Sequence, residues 1–163
     1  MTFTDTAEAG PPSAGMWIRP VHPTDAPAVN ELLGQLGYPQ VDVAATETRI
    51  LAWSDDPSSA AFAAGFGDEL VGVVAVHVCP FFERDGSWAR VVALVVSDRA
   101  RGQGVGGKLM SVAESFAAGR GCARMEVTSS DHREAAHGFY QNRGYINQKG
   151  RSSRFLNDLA GGE

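Results

Sequence analysis

Long apolar runs, grouped cysteines and blocks of like charge are all missing from this chain, and each absence removes a class of function. The longest apolar stretch, around Val91 to Val96, ends in Ser97-Asp98-Arg99 and falls far short of the ~20 residues that cross a bilayer, so no membrane partner is expected. The first fifteen residues have neither a basic n-region nor an apolar h-region and do not read as a secretion signal; with Gly10-Pro11-Pro12-Ser13 they read as a flexible tail. Cys79 and Cys122 are the two cysteines. They have neither metal-ligand spacing nor a disulfide framework, a pattern suited to reduced thiols in a cytoplasm, and each reads as a small buried residue. Basic residues are outnumbered, 14 Lys and Arg against 19 Asp and Glu, for a net charge of −5. With no basic run to override that total, nucleic acid is not an expected partner, and a cationic or amine-bearing one is mildly preferred.

What is present suits one domain of 163 residues, 44% of them apolar, enough for a sizeable core. Met16 to Arg19 reads as a first strand. His22-Pro23-Thr24-Asp25 supplies capping groups for a helix carrying Val29, Leu32, Leu33 and Leu36 and stopping at Gly37. A second helix is expected from about Val43 to Trp53, ended by Asp55-Asp56-Pro57. Ala60 to Phe66 and Leu70 to Cys79 form a hairpin across Gly67-Asp68-Glu69, and Trp88 to Val96 is a fourth strand, central because its end is apolar on both faces. A helix with Val105, Leu109, Val112, Ala113 and Phe116 on one face follows, then a fifth strand, Ala123 to Thr128, parallel to the fourth through a right-handed crossover. A helix from Arg133 to Asn142 precedes two closing strands, Gly144 to Gln148 and Ser152 to Leu156. The order predicts a mixed α/β fold with helices on both faces of one sheet.

Between the fourth strand and its helix lies the most informative segment, Ser97-Asp98-Arg99-Ala100-Arg101-Gly102-Gln103-Gly104-Val105-Gly106-Gly107-Lys108. A glycine-rich loop entering a helix N-terminus offers unpaired backbone N–H groups to a phosphate. Read as a P-loop, Gly102 to Lys108 is followed by Leu109, which lacks the hydroxyl that holds Mg²⁺. Read as a dinucleotide fingerprint, Gly102, Gly104 and Gly107 match, and Glu126 lies about twenty residues further on. Too little chain then remains for the strands such a fold requires.

A third parse, Arg101-x-x-Gly104-x-Gly106 after Leu94-Val95-Val96, resembles the Gcn5-related N-acetyltransferase (GNAT) family. Ala136-His137-Gly138-Phe139-Tyr140 and Arg143-Gly144-Tyr145 resemble that family's last helix and the strand after it, and Trp17-Ile18-Arg19-Pro20 its start. The resemblance spans residues 16–157, leaving 1–15 and 158–163 as tails. It implies a single-domain fold whose strands 4 and 5 are parallel and splayed. It also implies acetyl-CoA as acetyl donor, bound by Arg101, Gly102, Gln103, Gly104, Val105, Gly106, Gly107 and Lys108, with the pyrophosphate against the backbone N–H groups around Gln103 to Gly107 and added charge from Arg101 and Lys108. The pantetheine arm would lie along Leu94, Val95 and Val96. Arg133 stands where relatives have an asparagine that touches the cofactor, and Tyr140 stands at the position of the acid that protonates the departing thiolate.

An attacking amine must first lose a proton, since alkylamines have a pKa near 10.4. Relatives often carry a glutamate early in strand 4 for this purpose, and this chain has Arg90 there. His77, Glu83, Glu126 and His132 are the substitutes considered. The expected reaction is direct acetyl transfer to a primary amine on a small molecule, without metal or covalent enzyme intermediate. A protein amine is the second choice of acceptor, and an acyl-CoA-binding sensor without turnover is the reading from another class. Family resemblance also suggests a homodimer formed through the C-terminal strands.

Overall fold

A computed structural model of the chain describes residues 15–129 and 133–160. Most of the expected N-terminal tail, the last three residues and His132 lie outside that set. The described chain gathers into two compact units that divide between Val127 and Thr128.

The first unit is built on a five-stranded sheet in sequential order: β1 (Met16–Pro20), β2 (Ser59–Phe66), β3 (Glu69–Pro80), β4 (Ser87–Val96) and β5 (Cys122–Val127). The first four strands are antiparallel neighbours, while β5 runs parallel to β4, as expected for strands joined through a helix. Three helices belong to this unit, α1 (Ala26–Leu36), α2 (Val43–Asp55) and α3 (Val105–Gly119).

Alternation along β3 explains why both faces of the sheet are covered. Val73 joins Val29 and Leu32 of α1, with Ala63 and Val95, in one buried cluster. Next to it in sequence, Gly72 faces the other way. A Cβ built there would come within 3.0 Å of Leu109 Cδ1 and Val105 Cγ1 of α3, so glycine lets helix and strand approach closely. Leu109, Met110 and Ala113 of α3 are fully buried. Removing a side chain such as Leu109 from this layer costs roughly 2–5 kcal/mol.

Local chemistry accounts for the helix ends. Gly37 stops α1 at φ 111°, a left-handed position that glycine adopts without strain. The carboxylate of Asp42 accepts the Ala44 N–H at 3.0 Å and starts α2, which runs two residues past the expected Trp53. Ahead of α1, Pro23–Asp25 forms a 3-10 turn in place of a simple cap. The Asp25 carboxylate turns back to accept the His22 N–H and is gripped by Arg19 at 2.7 and 3.0 Å.

The second unit contains α4 (Glu134–Asn142). The closing strands expected at Gly144 to Gln148 and Ser152 to Leu156 are not strands. Asn147 Oδ1 accepts the Lys149 N–H at 2.9 Å, and the Gln148 carbonyl accepts the N–H groups of Arg151 and Ser152. These local bonds form a turn and occupy backbone groups that a ladder would need.

Candidate active site

Parallel pairing of β4 with β5 extends from Ser87↔Cys122 to Val91↔Val127 and stops there. On its other side β4 stays paired with β3 to its end, through Leu94↔Val74, Val95↔Val73 and Val96↔Gly72. Leu94, Val95 and Val96 therefore lie on a stretch of β4 beyond its last rung with β5, which itself ends at Val127, at the place where the splay is expected. A bulge lies just past that rung. Ala75 pairs with Ala93 and Val76 with Val91, so Val92 is the extra residue, and its side chain is exposed. Bulges bend a strand and increase its twist. Of the three residues on the open stretch, Val95 is buried, whereas Leu94 and Val96 are half-buried.

The chain then passes through a 3-10 turn, Asp98–Ala100, fixed from several directions. The Ser97 N–H donates to the Val71 carbonyl at 2.7 Å, and Ser97 Oγ accepts from the Arg99 N–H. The Asp98 N–H donates to Gln35 Oε1 of α1 at 3.0 Å, and the Arg99 guanidinium is paired with Glu31 of α1 and with Glu69 at the head of β3. These anchors escaped the sequence reading because the partners are dozens of residues apart.

Beyond the turn, Arg101, Gly102, Gln103 and Gly104 are exposed, and Gly102 and Gly104 both have φ +79°. Gly104 is the N-cap residue of α3, where no side chain caps the helix and no acidic residue occupies the first turn. Val105 is buried and seats the helix, with Gly106 and Gly107 half-buried and Lys108 exposed. Backbone N–H groups here, with the positive end of the helix and two nearby basic side chains, suit a pyrophosphate.

Arg133 and Tyr140 belong to the second unit. Arg133 is the N-cap residue of α4. The Tyr140 ring packs edge-on to Phe139 at 5.3 Å and to Tyr145 at 6.0 Å. Burial pushes its phenol above the usual tyrosine pKa, and the charge of Arg133 opposes that shift. The phenol is thus held in its protonated form, the form able to donate.

On the sheet face that carries α2, an open groove of about 510 Å³ is lined by Trp53, Asp56, Ser59, His77, Trp88 and Val92, among others. Ser59 Oγ lies 2.9 Å from Asp56 Oδ2 and 2.9 Å from His77 Nδ1. Asp56 is held below the usual carboxylate range, first by the Ser58 N–H, then by the Ser59 hydroxyl and the nearby His77. Arg90 pairs with Glu126 at 3.2 Å, so the Glu126 carboxylate is already engaged. Glu83 is exposed. The two cysteines are free but half-buried, short of the expected burial, and Cys79 also borders the groove. Sequence reading missed Asp56 and Ser59, since an aspartate before proline reads as the end of a helix and a serine at a strand start reads as turn chemistry. Among the described residues, no group of three or more His, Cys, Asp or Glu is placed to hold a metal ion, and no helix is long and apolar enough to cross a membrane.

Comparison with known proteins is consistent with this layout. The family model described as "Acetyltransferase (GNAT) family" matches residues 27–145. The chain belongs to the GNAT acetyltransferases. Solved structures with the same fold include glucosamine-6-phosphate N-acetyltransferase from Arabidopsis thaliana (TM-score 0.73, 21% identity, 87% of this chain and 99% of that one). A second is ribosomal-protein-alanine N-acetyltransferase from Brucella melitensis biovar Abortus 2308 (0.72, 19%, 89% and 99%). A third is an aminoglycoside acetyltransferase from an uncultured soil metagenomic sample, in complex with trehalose (0.72, 17%, 90% and 97%). At these identities the GNAT fold is what is shared. The comparison with curated proteins gave no match.

Proposed function

We propose that this GNAT protein transfers an acetyl group from acetyl-CoA directly to a primary amine on a small molecule. The observation that carries the reading is the run of β4 past its last rung with β5 at Val91, followed through the Asp98–Ala100 turn by an exposed loop and an uncapped helix N-terminus. An open strand edge followed by an anion site matches a ligand with an amide-bearing arm and a pyrophosphate.

The donor brings an activated thioester. Backbone groups of Leu94, Val95 and Val96 hydrogen-bond the arm, and one of their N–H groups donates to the thioester oxygen as charge develops on it. Residues Arg101 to Lys108 bind the pyrophosphate, mainly through backbone N–H, and Arg133 adds a donor. Tyr140 supplies a proton to the departing sulfur. Members of the same fold acting on an amino sugar phosphate and on aminoglycosides support a small-molecule acceptor, and one acting on a ribosomal-protein alanine keeps a protein amine as the second choice.

A sensor that binds acyl-CoA without turnover is the second reading, favoured by Arg90 at the strand-4 position and its pairing with Glu126. Thiol release over a panel of primary amines separates the two. Release with at least one amine, cut about 100-fold by Tyr140→Phe with acetyl-CoA affinity kept, supports the enzyme. Tight CoA binding with no release from any amine supports the sensor.

A further inference from the structure

We infer that His77 accepts the proton of the attacking amine, that Ser59 and Asp56 hold it in the required tautomer, and that the surrounding groove takes a small primary amine with an apolar or aromatic body. This rests on the acetyl-transfer reading above and identifies the base that the family pattern leaves open at Arg90.

Register brings the residues together. Ser59 and His77 are direct partners across β2 and β3, so their side chains leave the same face of the sheet, and Asp56 lies just before β2. Ser59 is buried, with 8% of its surface exposed. The His77 and Asp56 side chains are 44% and 43% exposed, so solvent and ligand reach them. Trp53 walls the site, its ring 6.4 Å from that of His77 and its Nε1 fixed on the Ala60 carbonyl at 2.9 Å.

Hydrogen-bond inventory sets the tautomer. An ionised carboxylate only accepts, so the single Ser59 hydroxyl proton goes to Asp56 Oδ2. The Ser59 oxygen must then accept from His77, which places the histidine proton on Nδ1 and leaves the Nε2 lone pair free for a ligand. Ionised Asp56 thus acts through Ser59, as a positioning residue. The other charged or titratable groups lining the groove are Arg90, paired with Glu126, and Cys79. His77 is also the cross-strand partner of Arg90, and Val92, the bulge residue just past the last rung between β4 and β5, lines the same groove. A base at His77 therefore faces the point at which the acyl-bearing strand edge begins.

The groove volume suits one small ligand. Trp53, Trp88 and Val92 offer apolar surface, and with Asp56 as the one carboxylate among the described lining residues, a polycation finds little to neutralise it. In the reaction, the amine enters in its neutral form, having left its first proton to solvent; its nitrogen bonds to the acetyl carbon, and the proton it then sheds passes to His77 Nε2. The carbon–sulfur bond breaks, and the thiolate takes the proton of Tyr140. His77 then releases its proton to solvent and Tyr140 takes one from solvent, leaving amide and thiol.

The test uses the full chain, with 2-phenylethylamine and spermidine as acceptors and acetyl-CoA as donor. Wild type should turn over 2-phenylethylamine in preference, with an acidic limb in the pH profile of kcat. His77→Gln, which retains a hydrogen-bonding partner for Ser59, should lower kcat about 100-fold or more and abolish that limb, with acetyl-CoA affinity unchanged. Ser59→Ala should lower kcat about tenfold with KM nearly constant, and Ser59→Thr should restore it, an outcome that separates positioning from folding. If His77→Gln keeps kcat and the limb, the base assignment is overturned while acetyl transfer stands. Preference for spermidine overturns the proposed acceptor class. Acetyl-CoA binding without turnover of either amine overturns the base and leaves the sensor reading, and failure to bind acetyl-CoA overturns the functional reading itself.

Discussion

Val91 and Val127 form the last rung between β4 and β5, and Val92, the first residue past it, is the bulge. β5 ends at Val127, so from Val92 to Val96 β4 runs on past its last rung with β5, and the chain then passes through the Asp98–Ala100 turn to the α3 N-terminus. Fold and proposed chemistry meet at this point.

Gly104→Ala tests the anion site. Nothing lies within 4 Å of a Cβ at this position, so the cost comes from φ +79°, roughly 1–2 kcal/mol for a residue with a side chain. Calorimetry should show acetyl-CoA binding weakened tenfold or more by the displaced backbone N–H groups. Unchanged affinity would mean that the loop does not bind the pyrophosphate.

Arg99→Ala releases the turn before that loop. The pairs of Arg99 with Glu31 and Glu69 are largely exposed, so stability should fall by less than about 1 kcal/mol. Acetyl-CoA affinity should nevertheless drop severalfold as the loop loses its anchor, and the difference from wild type should shrink at high salt.

Gly72→Ala probes the α3 seat. The added methyl meets Leu109 and Val105 at 3.0 Å, and overpacking of this kind costs about 1–3 kcal/mol. Denaturant unfolding should show the loss, with acetyl-CoA affinity reduced as α3 shifts.

Asp25 predicts an acid limit to stability. Its carboxyl is held below the usual range, chiefly by the Arg19 hydrogen bonds, against opposing burial. A lowered folded-state pKa means that the stabilisation is present in full above the ordinary value of about 3.9 and is lost as pH falls through the folded value. Asp25→Asn should cost on the order of 1 kcal/mol at neutral pH, and the mutant and wild-type stability curves should start to approach one another near the ordinary carboxylate value and meet only once pH has fallen through the folded-state value.

Much of this was legible in the sequence because it depends on local rules. Gly37, Gly102 and Gly104 are glycines where φ is positive, and the apolar stripe from Val105 to Phe116 is the face that packs on the sheet. The parallel β4–β5 pair followed from a helix-length crossover. The C-terminal strands failed because Ile146, Phe155 and Leu156 carry a strand-like composition while Asn147 and Gln148 bond locally into a turn. The Asp56–Ser59–His77 contact was illegible because it depends on β2–β3 register, and each residue taken alone has an ordinary structural use.

Isothermal calorimetry with acetyl-CoA, coenzyme A and NAD tests the central claim most directly. The account predicts binding of both CoA ligands, each weakened by Gly104→Ala, with no heat from NAD. Binding of NAD without CoA, or of none of the three, would contradict it.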